Sequence, residues 1–184
     1  MTDPARARMT SDQFIAWAMT RPRGERYELA AGEVVAMTPE RSLHALTKGR
    51  VFRRLAEAVE AAGLPCTPYP DGMAVEIDTA TTYQPDALVR CGPPLPDEAV
   101  KLGDPVIVVE VLSPSTRARD AGVKREDYFR LAPLRHYLIV NAESRSVIHH
   151  ARDAAGGIAT RIIRDDPLVL DPPGIALRPL FAAG

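Results

Sequence analysis

The sequence has few of the features that mark membrane and secreted proteins. Its 184 residues include 2 cysteines, Cys66 and Cys91, which do not form a CxxC pair. No apolar run approaches the roughly 20 residues that a bilayer-spanning helix needs, and no apolar segment follows the first charged residues. These absences argue against a membrane partner and against a disulfide framework. They favour a cytoplasmic protein with two separate thiols.

The chain also lacks a charge excess of either sign. The 23 Lys and Arg residues oppose 24 Asp and Glu residues, which gives a net charge of −1. A general nucleic-acid binder carries a basic excess, so a polyanion could be bound only by a local patch. The length and the hydrophobic share of 46% suit one ordinary globular core. We expect a single domain over residues 11–184, preceded by a loose segment over residues 1–10.

Helical and strand periods alternate along the chain between many prolines and glycines. The patterns predict a helix over 10–19, a β-hairpin over 26–37, a long helix over 41–62, strands over 73–78, 85–89 and 106–112, a surface loop over 91–104, a helix over 119–131, a strand over 135–140 and short strands beyond. The polar face of the long helix, which includes Lys48, is typical of a solvated surface. The strand-helix-strand order over 105–140 predicts a parallel pair. The fold class is α+β or α/β around one mixed sheet.

An acid interrupts the most apolar strand of the chain. Glu110 is flanked by Val109 and Val111, and a buried carboxylate is costly unless a cation lies beside it. Asp86 stands at the start of another predicted strand, and Glu28 lies inside the hairpin. If adjacent strand ends bring such acids together, their oxygens suit Mg²⁺ or Mn²⁺.

The helix after Glu110 supplies cations for the same strand end. Lys124 can reach it, with Arg117 and Arg119 nearby. An anionic substrate such as a phosphate would need positive charge there. The ordinary alternative for Lys124 is a solvated helix lysine paired with Asp120 four residues earlier.

Several motifs together resemble the Uma family of restriction-endonuclease-like proteins, in the PD-(D/E)XK nuclease superfamily. The matching residues are Tyr27-Glu28-Leu29, Gly32-Glu33-Val34-Val35, His44, Pro85-Asp86, the block Val108 to Thr116, Asp120, Lys124 and Tyr128. The resemblance implies a restriction-endonuclease-like mixed central sheet flanked by helices. It also implies hydrolysis of DNA phosphodiester bonds with Mg²⁺ or Mn²⁺ as cofactor.

The resemblance assigns roles by position. Asp86 and Glu110 become the metal ligands, and Glu28 is an additional catalytic acid. The superfamily places a Lys two residues after the second acid, but Leu112 stands there. Lys124 on the following helix becomes the catalytic lysine instead. Substrate contacts are predicted for His44, which the resemblance places near the cleft, and for Arg117 and Arg119, which lie close to Lys124 in the sequence.

Two other functions remain open on the sequence alone. A degenerate nuclease fold could act as a nucleic-acid or protein interaction module, which the absence of Lys at position 112 favours. A hydrolase of smaller phosphate esters could use the same carboxylates. The joint presence of Glu28, Asp86, Glu110 and Lys124 favours the nuclease. A homodimer suits an enzyme that cuts two strands.

Overall fold

Three helices form in the described part of the chain. The computed structural model describes residues 8–37, 40–112, 119–164 and 166–181, without the side chains of residues 119–121. The helices are α1 (Ser11–Ala18), α2 (Ser42–Ala62) and α3 (Arg119–Tyr128). Thr10 and Gln13 form a capping box at the start of α1, and Gly63 ends α2 with a left-handed φ of 62°. Within the described ranges, no helix is long and apolar enough to span a bilayer.

Thirteen strands occur in the same ranges and form three sheets. They are β1 (Tyr27–Ala30), β2 (Glu33–Ala36), β3 (Cys66–Pro70), β4 (Ala74–Asp78), β5 (Thr81–Tyr83), β6 (Ala87–Cys91), β7 (Lys101–Leu102), β8 (Ile107–Val111), β9 (His136–Asn141), β10 (Ser146–Arg152), β11 (Ile158–Ile163), β12 (Leu168–Leu170) and β13 (Ile175–Leu177). The sheet orders are β11-β10-β9-β8-β6-β3, β2-β1-β5-β4-β7 and β12-β13. The α+β class with mixed sheets is confirmed, although the strands expected in one sheet are divided among three.

The predicted parallel pair is β8 and β9. Ile107 pairs with His136 and Val111 pairs with Val140, and α3 lies in the connection between the two strands. On its other side β8 pairs antiparallel with β6, through Ala87 opposite Val109. Because β8 has a strand on each side, its carboxyl end is held firmly where Glu110 emerges.

The two faces of the six-stranded sheet bury different clusters. The alternate residues Ile107, Val109 and Val111 of β8 share a cluster with Leu55 of α2. Val108, between them, belongs to the other cluster with Tyr128 at the end of α3. Successive side chains of a strand point to opposite faces. Glu110 therefore shares the face of Val108, on the side of the sheet where α3 packs.

The sequence patterns did not predict β3, β5, β7 and β13. Two of these, β3 and β7, have sequences that look like connections. β3 contains Pro68 and lies at the edge of its sheet, where a residue without an N–H is tolerated. β7 lies inside the proline-rich stretch predicted as a surface loop over 91–104, and only its two residues pair with β4.

The prediction of two separate thiols is wrong. Cys66 on β3 and Cys91 on β6 are direct cross-strand partners and form a disulfide. The reason is the register of the two strands, which places these residues opposite each other. The spacing of the two cysteines along the chain does not predict that pairing.

Candidate active site

Glu110 lies at the centre of a buried cluster of polar side chains. Its Oε1 lies 3.1 Å from Nζ of Lys124 and accepts a hydrogen bond of 3.1 Å from the hydroxyl of Tyr128. Both partners are on α3, four residues apart and so on the same helical face. The turn of α3 thus directs an ammonium and a hydroxyl at one carboxylate oxygen.

Glu28 approaches the same ammonium from the other large sheet. Lys124 Nζ lies 2.9 Å from Oε1 of Glu28, which also accepts the backbone N–H of Gln84 at 3.1 Å. Pairing of Leu29 with Thr82 places β1 beside β5 and so brings Glu28 next to Gln84. Lys124 therefore bridges acids from the five-stranded and six-stranded sheets.

The charges of this cluster are unbalanced. Burial, together with the charges of Asp86 and Glu28, raises the pKa of Glu110 to about 7 against the opposing effect of Lys124. Burial by itself would lower the pKa of Lys124, but Glu110 and Glu28 outweigh it and the pKa rises. Lys124 is therefore a permanent cation, whereas Glu110 resists ionisation.

Asp86 lies immediately before β6 and is almost fully buried. Its Oδ2 accepts the backbone N–H of Val111 at 2.6 Å, and its Oδ1 lies 2.9 Å from Nζ of Lys48. Val111 directly follows Glu110, so the Asp86 carboxylate is held at the peptide unit next to Glu110. Asp86 thus joins the cluster around Lys124 to a second group of charges.

The second group surrounds Lys48 on α2. Besides Asp86, its ammonium contacts Glu40 at 2.6 Å and also Asp71, which in turn pairs with Arg26. One oxygen each of Glu40, Asp71 and Asp86 lie within 4.8 Å of one another. Burial alone would lower the pKa of Lys48, but the charge of Asp86 and the bonds to the three acids raise it.

The prediction of Lys48 on a solvated face is wrong. Only 6% of Lys48 is exposed, because it lies four residues after His44 and three before Val51, on the stripe of α2 that faces the sheet. That position was the sequence signal for its role. Glu40 and Asp71 were missed because they lie in connections, where acids are common and carry no pattern.

His44 lies beside this second group. Its Nε2 is 2.6 Å from the carbonyl oxygen of Val111, and its Nδ1 is 3.2 Å from Oε2 of Glu40. His44 is buried, and both of its ring nitrogens lie close to oxygen atoms. It is therefore neither a solvent-exposed histidine nor a residue of the apolar core.

The structure thus brings together Glu28, Glu110 and Lys124, and places Asp86 next to them. Of the predicted substrate contacts, Arg117 lies outside the described residues, as does the side chain of Arg119 at the start of α3. Chemically, the arrangement offers several buried carboxylates and two lysines at the end of one central strand. Such a set can bind a cation and hold a phosphate against an ammonium.

Comparisons with known proteins identify a family for this chain and a solved structure of the same fold. Residues 11–178 match the profile of the Uma2 family, described as "Putative restriction endonuclease". An uncharacterized protein of Synechocystis sp. is 26% identical over 171 residues, 92% of this chain and 88% of that protein. A crystal structure described as a putative nuclease belonging to DUF820, from Anabaena variabilis, shares the fold. Its TM-score is 0.70 at 12% identity, over 89% of this chain and 90% of that one. The resemblance predicted from the motifs is confirmed, and the chain belongs to the Uma2 family of restriction-endonuclease-like proteins.

Proposed function

We propose that this protein is a metal-dependent endonuclease that hydrolyses DNA phosphodiester bonds. The observation that carries the proposal is the contact of Lys124 with both Glu28 and Glu110, beside Asp86, whose carboxylate accepts the N–H of Val111 at the end of β8. Family membership supports a nuclease. A homodimer is part of the same proposal. So is a cytoplasmic location, although the Cys66–Cys91 disulfide removes the separate thiols on which the sequence argument for it partly rested.

The donor set suits Mg²⁺ or Mn²⁺. Both ions prefer carboxylate oxygens, and Asp86 and Glu110 would hold the ion at the end of β8. Burial is the main cause of the raised pKa of Glu110, and the charges of Asp86 and Glu28 add to it. A divalent cation beside Glu110 would offset both effects. When bound, the ion would supply an activated water and offset the charge that develops on phosphorus.

Lys124 would stabilise charge rather than accept a proton. Because Glu28 and Glu110 raise its pKa, its ammonium stays charged at neutral pH. It can therefore hold a nonbridging phosphate oxygen while water attacks in line with the leaving oxygen. Glu28 and Tyr128 act as positioning residues, since Glu28 contacts Lys124 directly and Tyr128 fixes Glu110.

DNA would be held chiefly by phosphate contacts from local cations. Arg117 and Arg119 are proposed for this role because they flank the site in sequence, and His44 because it lies beside the acids. With a net charge of −1, binding should be modest and should weaken as salt rises.

One observation favours the alternative of a binding module without turnover. In the structure both lysines of the site are engaged by carboxylates, Lys124 by two and Lys48 by three. A phosphate would have to compete with these ion pairs. The missing Lys at position 112 points the same way.

A cleavage assay tests the proposal. Supercoiled DNA, linear DNA, single-stranded DNA and RNA are incubated with wild type and with Asp86→Asn, Glu110→Gln and Lys124→Met, in Mg²⁺, Mn²⁺ or chelator. We expect metal-dependent nicking of DNA by wild type and a loss of about 100-fold or more in each variant. Glu57→Gln, at an exposed position on α2, is the matched control and should cleave normally.

Two results would overturn the proposal. Cleavage that survives Asp86→Asn and Glu110→Gln would move the active site elsewhere. Intact DNA after prolonged incubation with metal-loaded wild type would reject the nuclease and support the binding module.

A further inference from the structure

Tyr83 on β5 is a buried tyrosine beside the cluster around Lys124. Only 3% of Tyr83 is exposed, and Nζ of Lys124 lies over its ring at 5.0 Å from the ring centroid. The same ammonium lies 2.9 Å from Oε1 of Glu28 and 3.1 Å from Oε1 of Glu110. Lys124 therefore has an aromatic ring as a neighbour in addition to its two carboxylates.

The hydroxyl of Tyr83 makes a second contact with α3. It donates a hydrogen bond of 2.6 Å to Oδ2 of Asp127, three residues after Lys124. The ring of Tyr83 also packs against the ring of Tyr128, with 5.5 Å between the centroids. Because positions 124, 127 and 128 share one face of a helix, this single side chain from β5 contacts a full turn of α3. Burial and the bond to Asp127 raise the pKa of Tyr83, so its hydroxyl keeps the proton that it donates.

The residue after Tyr83 holds the other member of the ion pair. The backbone N–H of Gln84 donates to Oε1 of Glu28 at 3.1 Å. Gln84 directly follows Tyr83, the last residue of β5. Two adjacent positions of the chain therefore hold Glu28 and Lys124, and so determine where the two charges meet.

Lys124 depends on such support because of where it stands. Its ammonium ends a flexible four-carbon stem, and the stem projects from a helix rather than from a strand of the sheet. An aromatic ring attracts an ammonium through the negative face of its π system and carries no net charge. The ring can therefore orient Lys124 without adding another negative charge that a phosphate would have to displace.

We propose that Tyr83 is a positioning residue of the active site, which directs the ammonium of Lys124 and holds α3 through Asp127. This inference rests on the role of Lys124 in the proposed function and adds a residue of the five-stranded sheet to it. The ring orients the ammonium, and the hydroxyl anchors the helical turn that carries it. Two substitutions separate these parts, because Tyr83→Phe removes the hydroxyl alone and Tyr83→Leu removes the ring as well.

Nuclear magnetic resonance of the protein in chelator tests the contact without any cleavage. The chain has three lysines, Lys48, Lys101 and Lys124, so isotope labelling of lysine gives a spectrum that single substitutions can assign. Protons over the face of an aromatic ring are shifted upfield. We therefore expect the ε-methylene signal of Lys124 upfield of the other two. Tyr83→Leu should remove most of this shift, and Tyr83→Phe should retain it.

Phe129→Leu is the matched control. Phe129 belongs to the same apolar cluster as Tyr83, but its ring lies against the guanidinium of Arg152. The substitution also removes a buried ring, so it should lower stability and leave the signal of Lys124 in place. An equal movement of that signal in Phe129→Leu and Tyr83→Leu would make Tyr83 an ordinary core residue and overturn the proposal.

A measurement on wild type covers the case in which Tyr83→Leu fails to fold, which circular dichroism would reveal. The ring protons of Tyr83 and the ε-methylene protons of Lys124 should give a nuclear Overhauser effect, because the ammonium lies over the ring. Absence of this effect in folded wild type would overturn the proposal without any variant.

Cleavage kinetics connect the contact to the proposed function. A misplaced ammonium should weaken the transition state more than substrate binding, so we expect kcat of Tyr83→Leu to fall about tenfold or more with KM little changed. Tyr83→Phe should retain most of kcat, and folded Phe129→Leu should retain all of it. A wild-type kcat in Tyr83→Leu would reject the role of Tyr83 and leave the nuclease standing. If wild type cleaves no DNA, the nuclease is rejected, whereas a signal of Lys124 that depends on Tyr83 would still support the positioning of the ammonium.

Discussion

Lys48 on α2 and Asp86 before β6 form a buried ion pair with 2.9 Å between Nζ and Oδ1. Their side chains are 7% and 6% exposed, so the pair is nearly free of solvent. Removing one partner of a buried pair leaves the other charge uncompensated, which costs more than the pair itself contributes. Lys48 is thus a structural counterion for an acid of the proposed active site.

Replacing Lys48 should destabilise the protein in the absence of metal. Lys48→Met leaves Asp86, Glu40 and Asp71 facing one another, so we expect the free energy of unfolding to fall by about 3 to 5 kcal/mol. Urea unfolding at pH 8 in chelator measures the change. Arg53→Met on the same helix is the control, because that side chain is 64% exposed and should change stability by less than about 0.5 kcal/mol. Equal stability of both variants would contradict the buried role of Lys48.

Glu110 should make the protein less stable as the pH rises. Burial raises its pKa from 4.5 to about 7, so the folded state holds the proton more tightly than the unfolded state. The stability that this group contributes is complete below about pH 4.5 and is lost as the pH passes 7. Glu110→Gln does not titrate, so relative to wild type it should gain about 2 to 3 kcal/mol between pH 5 and pH 8.

Urea unfolding of both proteins across this pH range checks the difference. Glu57→Gln, whose side chain is 47% exposed, should follow the wild-type curve throughout. Parallel curves for wild type and Glu110→Gln would mean that the carboxylate is adequately neutralised in the folded protein.

Much of the fold could be predicted from the sequence, because it follows from local patterns of apolar and polar residues. The hydrophobic period of α2 and the apolar run of β8 each follow from side-chain spacing, and the parallel pair follows from element order. β3 could not be predicted, because its prolines are typical of loops. They are tolerated in this strand only because it lies at the edge of its sheet. The division into three sheets depends on long-range pairing, which no local pattern encodes.

The site could be predicted only where a charged residue stands among apolar ones. Glu110 interrupts an apolar strand, and this pattern indicates a functional carboxylate. Lys48 gave a similar signal on the apolar stripe of α2 but was interpreted as part of a charged face. Glu40 and Asp71 lie in connections where acids are common, so their sequence context does not predict a role. Only the fold brings them into contact with Lys48.

The cross-strand disulfide should contribute measurably to stability. Cys66 and Cys91 are 25 residues apart, and closing a loop of this size lowers the entropy of the unfolded chain by the equivalent of about 3.5 kcal/mol. Reduction with dithiothreitol should therefore lower the free energy of unfolding by about that amount. The double variant Cys66→Ser/Cys91→Ser is the control, since the reductant should leave its stability unchanged. Identical urea midpoints for oxidised and reduced wild type would contradict the expectation.

A chain of hydrogen bonds fixes the buried histidines of β9 and β10. Arg161 can only donate, so its bond of 3.2 Å makes Nδ1 of His149 an acceptor. His149 must then donate from Nε2 to Nδ1 of His136, and His136 donates from Nε2 to the carbonyl of Pro172. Both rings are neutral in this arrangement, and protonation of either one breaks a bond.

Acid should therefore weaken the fold through His149. Burial, together with the charges of His136 and Arg161, lowers its pKa from 6.5 to about 3. The unfolded chain binds a proton below pH 6.5 that the folded chain does not, so stability is complete above pH 6.5 and is lost as the pH falls towards 3. His149→Gln cannot titrate, and its stability deficit relative to wild type should shrink by about 1.4 kcal/mol per pH unit below 6.5. Urea unfolding at pH 7.5 and pH 5 measures this difference, in which the opposing titration of Glu110 cancels because both proteins share it. A deficit that stays constant between the two pH values would show that His149 is not held neutral by the fold.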